Sequence, residues 1–99
     1  MVDSNCILIV ATGVQSEMEM EFNEWYNKEH IPGLLKVPGV LRAGRYVSIN
    51  GSPKYFAIYE HENEFVRERE DYKSRVNTEW TKKIRPHLVN SHRFLLKKI

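Results

Sequence analysis

The chain reads as an α+β domain of order β-α-β-β-α-β, a four-stranded antiparallel sheet with its helices on one face, which is the ferredoxin-like split pattern. Three observations lead there. A short β-branched apolar run at residues 6–12 precedes an amphipathic stretch at 17–30 whose apolar residues recur at helical spacing. Two alternating stretches, 40–49 and 54–60, flank Asn50-Gly51-Ser52-Pro53, a loop with hairpin chemistry. A second helical region ends at Pro86, and residues 87–97 then alternate loosely as a last strand. Ninety-nine residues make a single domain, 1–99, with a modest core.

Residues 2–5 are polar, and 6–12 suit a central strand buried on both faces. Ser16 stands where an N-cap belongs, and Glu19 follows at the third helical position, as in a capping box. Met18, Phe22, Trp25, Tyr26 and Glu29 trace the inner face of the first helix. Pro32 biases Ile31 away from helical geometry, so the helix is expected to end near His30. Leu34, Leu35 and Val37 form a further short turn, and Pro38-Gly39 is a turn signal. Pairing Ile49 with Lys54 in the hairpin sets Tyr46 opposite Ala57 and Gly44 opposite Tyr59. One face of the hairpin then carries Arg42, Gly44, Tyr46, Tyr55, Ala57 and Tyr59, and the other carries Leu41, Ala43, Arg45, Val47, Phe56 and Ile58. Asn63 caps a short helix reaching about residue 76, and Thr78 caps the last helix, 78–85, with Trp80 and Ile84 inward. The second sheet face is left bare, with Val47, Phe56 and Ile58 or their opposites upon it. Covering it with a second copy gives a two-fold homodimer.

Composition excludes several classes. Hydrophobic residues at 41% and charged residues at 28% describe a globular chain. A net charge of +2, with only Lys97 and Lys98 clustered at the end, argues against a nucleic-acid partner. The single cysteine, Cys6, permits no intrachain disulfide and no cysteine-based zinc site, and its apolar surroundings suit an inert thiol. The longest apolar run, residues 6–11, is far short of the roughly 20 residues that span a bilayer. The stretch around Asp3 is not basic, unlike a signal peptide, so a cytoplasmic protein with no membrane partner is expected.

The chemistry concentrates at 21–40. Phe22, Tyr26 and His30 are four apart and share a helical face, with Trp25 and Glu29 beside them. An imidazole against an aromatic surface at a helix end can hold a small molecule and move a proton. The helix terminus favours the imidazolium, and an apolar pocket favours the neutral base; the sequence leaves both open, along with a purely structural His30 that caps carbonyls. Tyr46 and Tyr59 are either donors to a developing enolate or ordinary sheet aromatics. Trp25 and Trp80 suit core or pocket wall. Arg42 and Arg45 suit a substrate carboxylate or an ion pair across the dimer. His87 and His92, five apart, face opposite sides of a regular strand, so no metal site is expected. No phosphate loop, nucleotide fingerprint or other cofactor motif is present, and no cofactor is expected.

The stretch EFNEWYNKEHIPGLLKVPGVLRAGRY resembles the signature of the dimeric α/β-barrel superfamily, and within it the small EthD-like proteins. The points of resemblance are Trp25-Tyr26, His30-Ile31-Pro32, Pro38-Gly39 and Arg45-Tyr46; YFAIYE, TEW and RPHL continue it along nearly the whole chain. The resemblance implies a homodimer with a small-molecule pocket between helices and sheet in each subunit. It makes His30 the leading catalytic residue with Tyr46 and Tyr59 as partners, and Phe22, Trp25, Tyr26, Arg42 and Trp80 complete the expected substrate-binding set. Haem-degrading members use an Asn, Trp and His set that Trp80 and the histidines here do not reproduce. The superfamily spans cyclases, isomerases, monooxygenases and proteins without known activity, so it says more about fold than function. The expectation is a cofactor-independent enzyme in which His30 moves a proton on a small cyclic or aromatic metabolite, of isomerase, cyclase or lyase type. A non-catalytic small-molecule-binding or pathway accessory protein is the alternative, and a cofactor-free monooxygenase is the third reading.

Overall fold

Four strands, β1 (Cys6–Val14), β2 (Val40–Val47), β3 (Tyr55–His61) and β4 (Leu88–Lys97), form one antiparallel sheet in the order β2-β3-β1-β4 in the computed structural model, which describes residues 4–99. The sequence readings that fall on residues 1–3, including the stretch around Asp3, lie outside the described residues. The helices are α1 (Glu19–Trp25), α2 (Ile31–Leu34), α3 (Glu70–Val76) and α4 (Glu79–Ile84). They cover one sheet face, as the βαββαβ order predicts. Phe22, Trp25, Tyr26, Leu34, Tyr72 and Ile84 from the helical layer pack there on Leu8, Ala57 and Tyr59 of the sheet.

β1 departs from its sequence reading. It runs two residues further, and only one of its faces is sealed: Cys6 and Leu8 are buried under the helices, whereas Ile7 on the other side is 37% exposed. A continuous apolar run thus marks a strand with one covered face and one apolar bare face.

The first helix also differs. Ser16 opens a 3₁₀ turn, Ser16–Met18, and makes no side-chain cap; the Glu19 carboxylate instead accepts from Lys54 and from the Tyr55 hydroxyl. The helix does not end at His30. Residues Tyr26–His30 form a π-helical turn, Ile31 keeps helical angles, and its N–H bonds to the Tyr26 carbonyl five residues back. α2 continues directly through Pro32, which has no N–H to give to the preceding turn. The wide turn absorbs the proline that was expected to stop the helix. Thr78 caps α4 as read, its hydroxyl accepting from the Thr81 N–H at 3.1 Å.

The hairpin register is shifted by one residue from its expectation. Tyr46 faces Phe56, Arg45 faces Ala57, Gly44 faces Ile58 and Ala43 faces Tyr59. Because side chains alternate, a one-residue slip turns all of β2 over relative to β3. Ala43 and Arg45 lie under the helices with Tyr55, Ala57 and Tyr59. Arg42, Gly44 and Tyr46 lie on the bare face with Phe56, Ile58 and Glu60. The longer connection explains the slip: it runs from Ser48 to Lys54, closes with Ser48 N–H to the Lys54 carbonyl at 2.7 Å, and contains Gly51 at φ +100°.

β4 carries an irregularity. Ala11 pairs with His92 but Gly13 with Val89, so one residue is extra on β4, where Asn90 adopts a left-handed φ of +52°.

Candidate functional site

Between the helices and the β1–β4 side of the sheet lies a cavity of about 260 Å³. Its apolar wall includes Leu8, Val10, Trp25 and Leu34, and its polar wall includes His30, Tyr26 and Tyr59. Four of the residues singled out in the sequence, Trp25, Tyr26, His30 and Tyr59, meet here.

The π turn sets the imidazole. In an α-helix, residues five apart are rotated by about 140°. The wider turn reduces that offset, and His30 stacks on Trp25 with ring centroids 4.3 Å apart and planes 23° apart. Tyr26 meets His30 edge-on at 5.2 Å, and Tyr59 does so at 6.5 Å. Trp25 is itself pinned by its indole N–H, which donates to the Thr81 hydroxyl at 3.2 Å. Glu29 is occupied, accepting from the Thr78 hydroxyl at 2.7 Å.

His30 Nδ1 and the Tyr59 hydroxyl are both buried without a hydrogen-bond partner. Such groups are rare in folded proteins, because an unmade hydrogen bond costs about 1–3 kcal/mol. Burial, and then the charges of Arg93 and Arg85, lower the His30 pKa from 6.5 to about 4. Burial thus favours the neutral imidazole over the imidazolium. Burial pushes the Tyr59 phenol well above its ordinary value, with the neighbouring Tyr26 adding to the effect, so it remains a proton donor.

The other candidates lie elsewhere. Tyr46 and Arg42 are on the bare face, across the sheet from His30. Tyr46 is 59% exposed, and Arg42 makes two bonds to the Glu60 carboxylate, at 2.9 and 3.0 Å. The register slip is the reason. Trp80 is half-buried beside the core and donates from its indole to Glu21 at 3.1 Å, away from the cavity wall. Phe22 is fully buried behind Tyr26, its ring 5.1 Å away edge-on, and supports the site from outside. Arg45 donates to Asn23 at 2.7 Å and Asn27 at 3.1 Å while lying 4.6 Å over the Tyr26 ring, which clamps the helix to β2. It binds neither a carboxylate in the cavity nor a group on the bare face.

Three arginines that the sequence reading passed over, Arg67, Arg85 and Arg93, line the cavity. Their only sequence signal is the odd spacing of Leu88 and Arg93, which both face the cavity because the Asn90 irregularity lies between them. His61 is fully buried at the end of β3, with neither ring nitrogen partnered. Among the described residues, no cluster of His, Cys, Asp and Glu has the geometry of a metal site.

A sheet of this order with helices on one face and a cavity beneath them is the protomer fold of the dimeric α/β barrels. Solved structures of that class match the chain along nearly its whole length. SnoaB, a cofactor-independent oxygenase from Streptomyces nogalater, shares it at a TM-score of 0.70 with 12% identity, over 96% of this chain and 93% of that one. An antibiotic biosynthesis monooxygenase matches at 0.67 and 14% identity, over 95% and 98%. A mutant of MhuD with two manganese protoporphyrin IX bound per active site matches at 0.73 and 12% identity, over 95% and 94%. At these identities the likeness shows the fold. No family model matches the chain, and no curated relative matches it.

Proposed function

We propose that the chain is a cofactor-independent enzyme that removes a proton from a small cyclic or aromatic substrate held in this cavity. One observation carries the reading: an imidazole that burial keeps neutral, its Nδ1 unpartnered, lies in the cavity wall with the buried Tyr59 phenol. His30 accepts the proton. Tyr59 donates a hydrogen bond to the enolate or phenolate oxygen that forms. Trp25 and Leu8 hold the ring. The size suits one substituted ring, since an apolar cavity of about 150 Å³ already takes benzene.

A base with a conjugate acid near 4 removes a proton only where the product anion is stabilised. The site supplies this, because the same arginine charges that depress His30 attract an anion. Once an anion neutralises them, their effect on His30 weakens and its proton affinity rises.

The oxygenase reading keeps support from the fold it shares with SnoaB. In that case the substrate carbanion would react with dioxygen: a ring CH₂ becomes a carbonyl, one oxygen atom enters the product and the other leaves as water. An assay under argon distinguishes the two, since isomerisation or elimination proceeds without oxygen.

The decisive variant is His30→Gln, which keeps polarity and approximate shape but not basicity. Turnover is expected to fall about 10²–10⁴-fold, the usual contribution of general acid–base catalysis. A folded Gln variant within a few-fold of wild type would remove His30 as the base and favour the binding-protein reading.

A further inference from the structure

The arginines around the cavity are arranged unlike the others. Arg42 and Arg69 each receive a carboxylate in two-bond geometry, from Glu60 and Asp71. Among the described residues, Arg67, Arg85 and Arg93 form no ion pair, and no Asp or Glu lines the cavity they share. Arg67 is half-buried, with Nε sealed from solvent and without a partner. Arg85 spends one amino group on the Val76 carbonyl at 3.1 Å. Arg93 faces the cavity only because the extra residue at Asn90 shifts β4: it lies opposite Val10, and Leu88 lies opposite Val14, both under the helices.

Three like charges around one small, partly dry space repel one another. That arrangement gains most from an anion, and guanidinium groups match a carboxylate in planar, two-bond geometry. A surface role alone does not need the carboxylate-free wall, the sealed Nε or the shifted strand.

We infer that the cavity takes a carboxylate-bearing single ring, an aromatic or alicyclic acid, with its ring against Trp25 and Leu8 and its carboxylate at Arg67, Arg85 and Arg93. The inference rests on the same cavity as the proposed reaction and names its substrate class. Arg85 and Arg93 are exposed and mark the mouth; Arg67 stands further in. The acid therefore enters ring-first past the two outer arginines and presents its ring carbons to His30.

The test is calorimetric titration of the full chain near neutral pH with sodium benzoate and with benzamide, its neutral counterpart of the same shape. Benzoate is expected to bind at least about tenfold tighter, the scale of one charge-assisted hydrogen bond in affinity. Arg93→Met and Arg67→Met, which keep the aliphatic stem, are expected to erase that preference while leaving benzamide binding in place. Arg93 is exposed, so its variant decides the matter even where Arg67→Met fails to fold. Equal affinity for the two probes overturns the carboxylate assignment and leaves the cavity and the His30 base standing. A benzoate preference that survives both substitutions also overturns it, since the anion is then held elsewhere. Binding of neither probe overturns it together with the cavity as a binding site. Loss of turnover in His30→Gln reports the base independently.

Discussion

At the scale of single residues, His30 shows how burial converts an ordinary side chain into a chemical group. Its burial, and then the charges of Arg93 and Arg85, make the protonated form costly, and its pKa drops from 6.5 to about 4. This has a consequence for stability. Between those values the unfolded chain holds a proton at His30 that the folded chain refuses, so stability rises with pH across the window. The full contribution is present above about pH 6.5 and is lost as pH falls toward 4. His61 is shifted the same way by burial, and then by Arg67, and acts with the same sign. For His30 the loss is at most on the order of 3 kcal/mol, less where solvent screens the arginines. Urea unfolding followed by circular dichroism is therefore expected to give a lower midpoint near pH 4.5 than near pH 7.5, with a shallower pH slope in His30→Gln. An unchanged slope in that variant would mean that His30 is not held neutral by the fold. The shared face of Phe22, Tyr26 and His30 was legible from their four-residue spacing, with Trp25 beside it. The neutral state was not, because the burial of His30, and then the charges of Arg93 and Arg85, come from segments distant in sequence.

At the scale of elements, the site depends on two local irregularities. The π turn at Tyr26–His30 places His30 over Trp25, and the extra residue near Asn90 turns Arg93 inward. Both occur where a regular element would direct the side chain elsewhere, a common use of π turns and bulges near functional sites. A third element holds Arg67. The turn after α2 reaches Gly39, whose carbonyl accepts from the Glu62 N–H at 2.7 Å, and a Cβ there would lie 2.7 Å from Val66 Cγ2. Val66 precedes Arg67 in the 3₁₀ turn Val66–Glu68. Gly39 and Gly51 both have φ near +100°, but nothing lies within 4 Å of a Cβ built at Gly51. Gly51→Ala is thus expected to cost about 1 kcal/mol from backbone conformation alone. Gly39→Ala should cost about 1–3 kcal/mol more, through overpacking against Val66. Parallel urea titrations of the two variants check the difference; equal losses would show that the Val66 segment yields freely.

At the scale of the whole molecule, the uncovered sheet face is the unfinished feature. Ile7, Tyr46, Phe94 and Leu96 are 37–59% exposed there, alongside Phe56 and Ile58. A continuous apolar face of this kind on so small a domain calls for a cover. A second copy of the chain is the cover we propose, giving a two-fold homodimer. Light scattering coupled to size exclusion should give twice the chain mass at micromolar concentration. Ile58→Asp, in the middle of that face on β3, should give a folded monomer. A wild-type monomer would refute the interface, and a dimeric Asp variant would place it elsewhere. No helix among the described residues is long and apolar enough to cross a membrane.

The sequence by itself determined the order of elements, the antiparallel class, the bare second face and the aromatic face that ends in His30. These follow from periodicity, turn residues and capping, which act over a few neighbouring positions. The superfamily resemblance pointed to the same protomer fold. Its narrower EthD-like assignment rests on the quoted residues alone. Tertiary structure decided the rest. The hairpin register depended on how a seven-residue connection closes, and a slip of one residue carried Tyr46 and Arg42 away from the site. The continuation through Pro32 depended on a π turn that no local rule announces. The arginine cluster comes from a 3₁₀ turn, a helix end and an edge strand, brought together only when the helices close over the sheet. Backbone preferences are local and can be read along the chain; a cavity, its charges and its proton affinities are sums over segments that meet only in space.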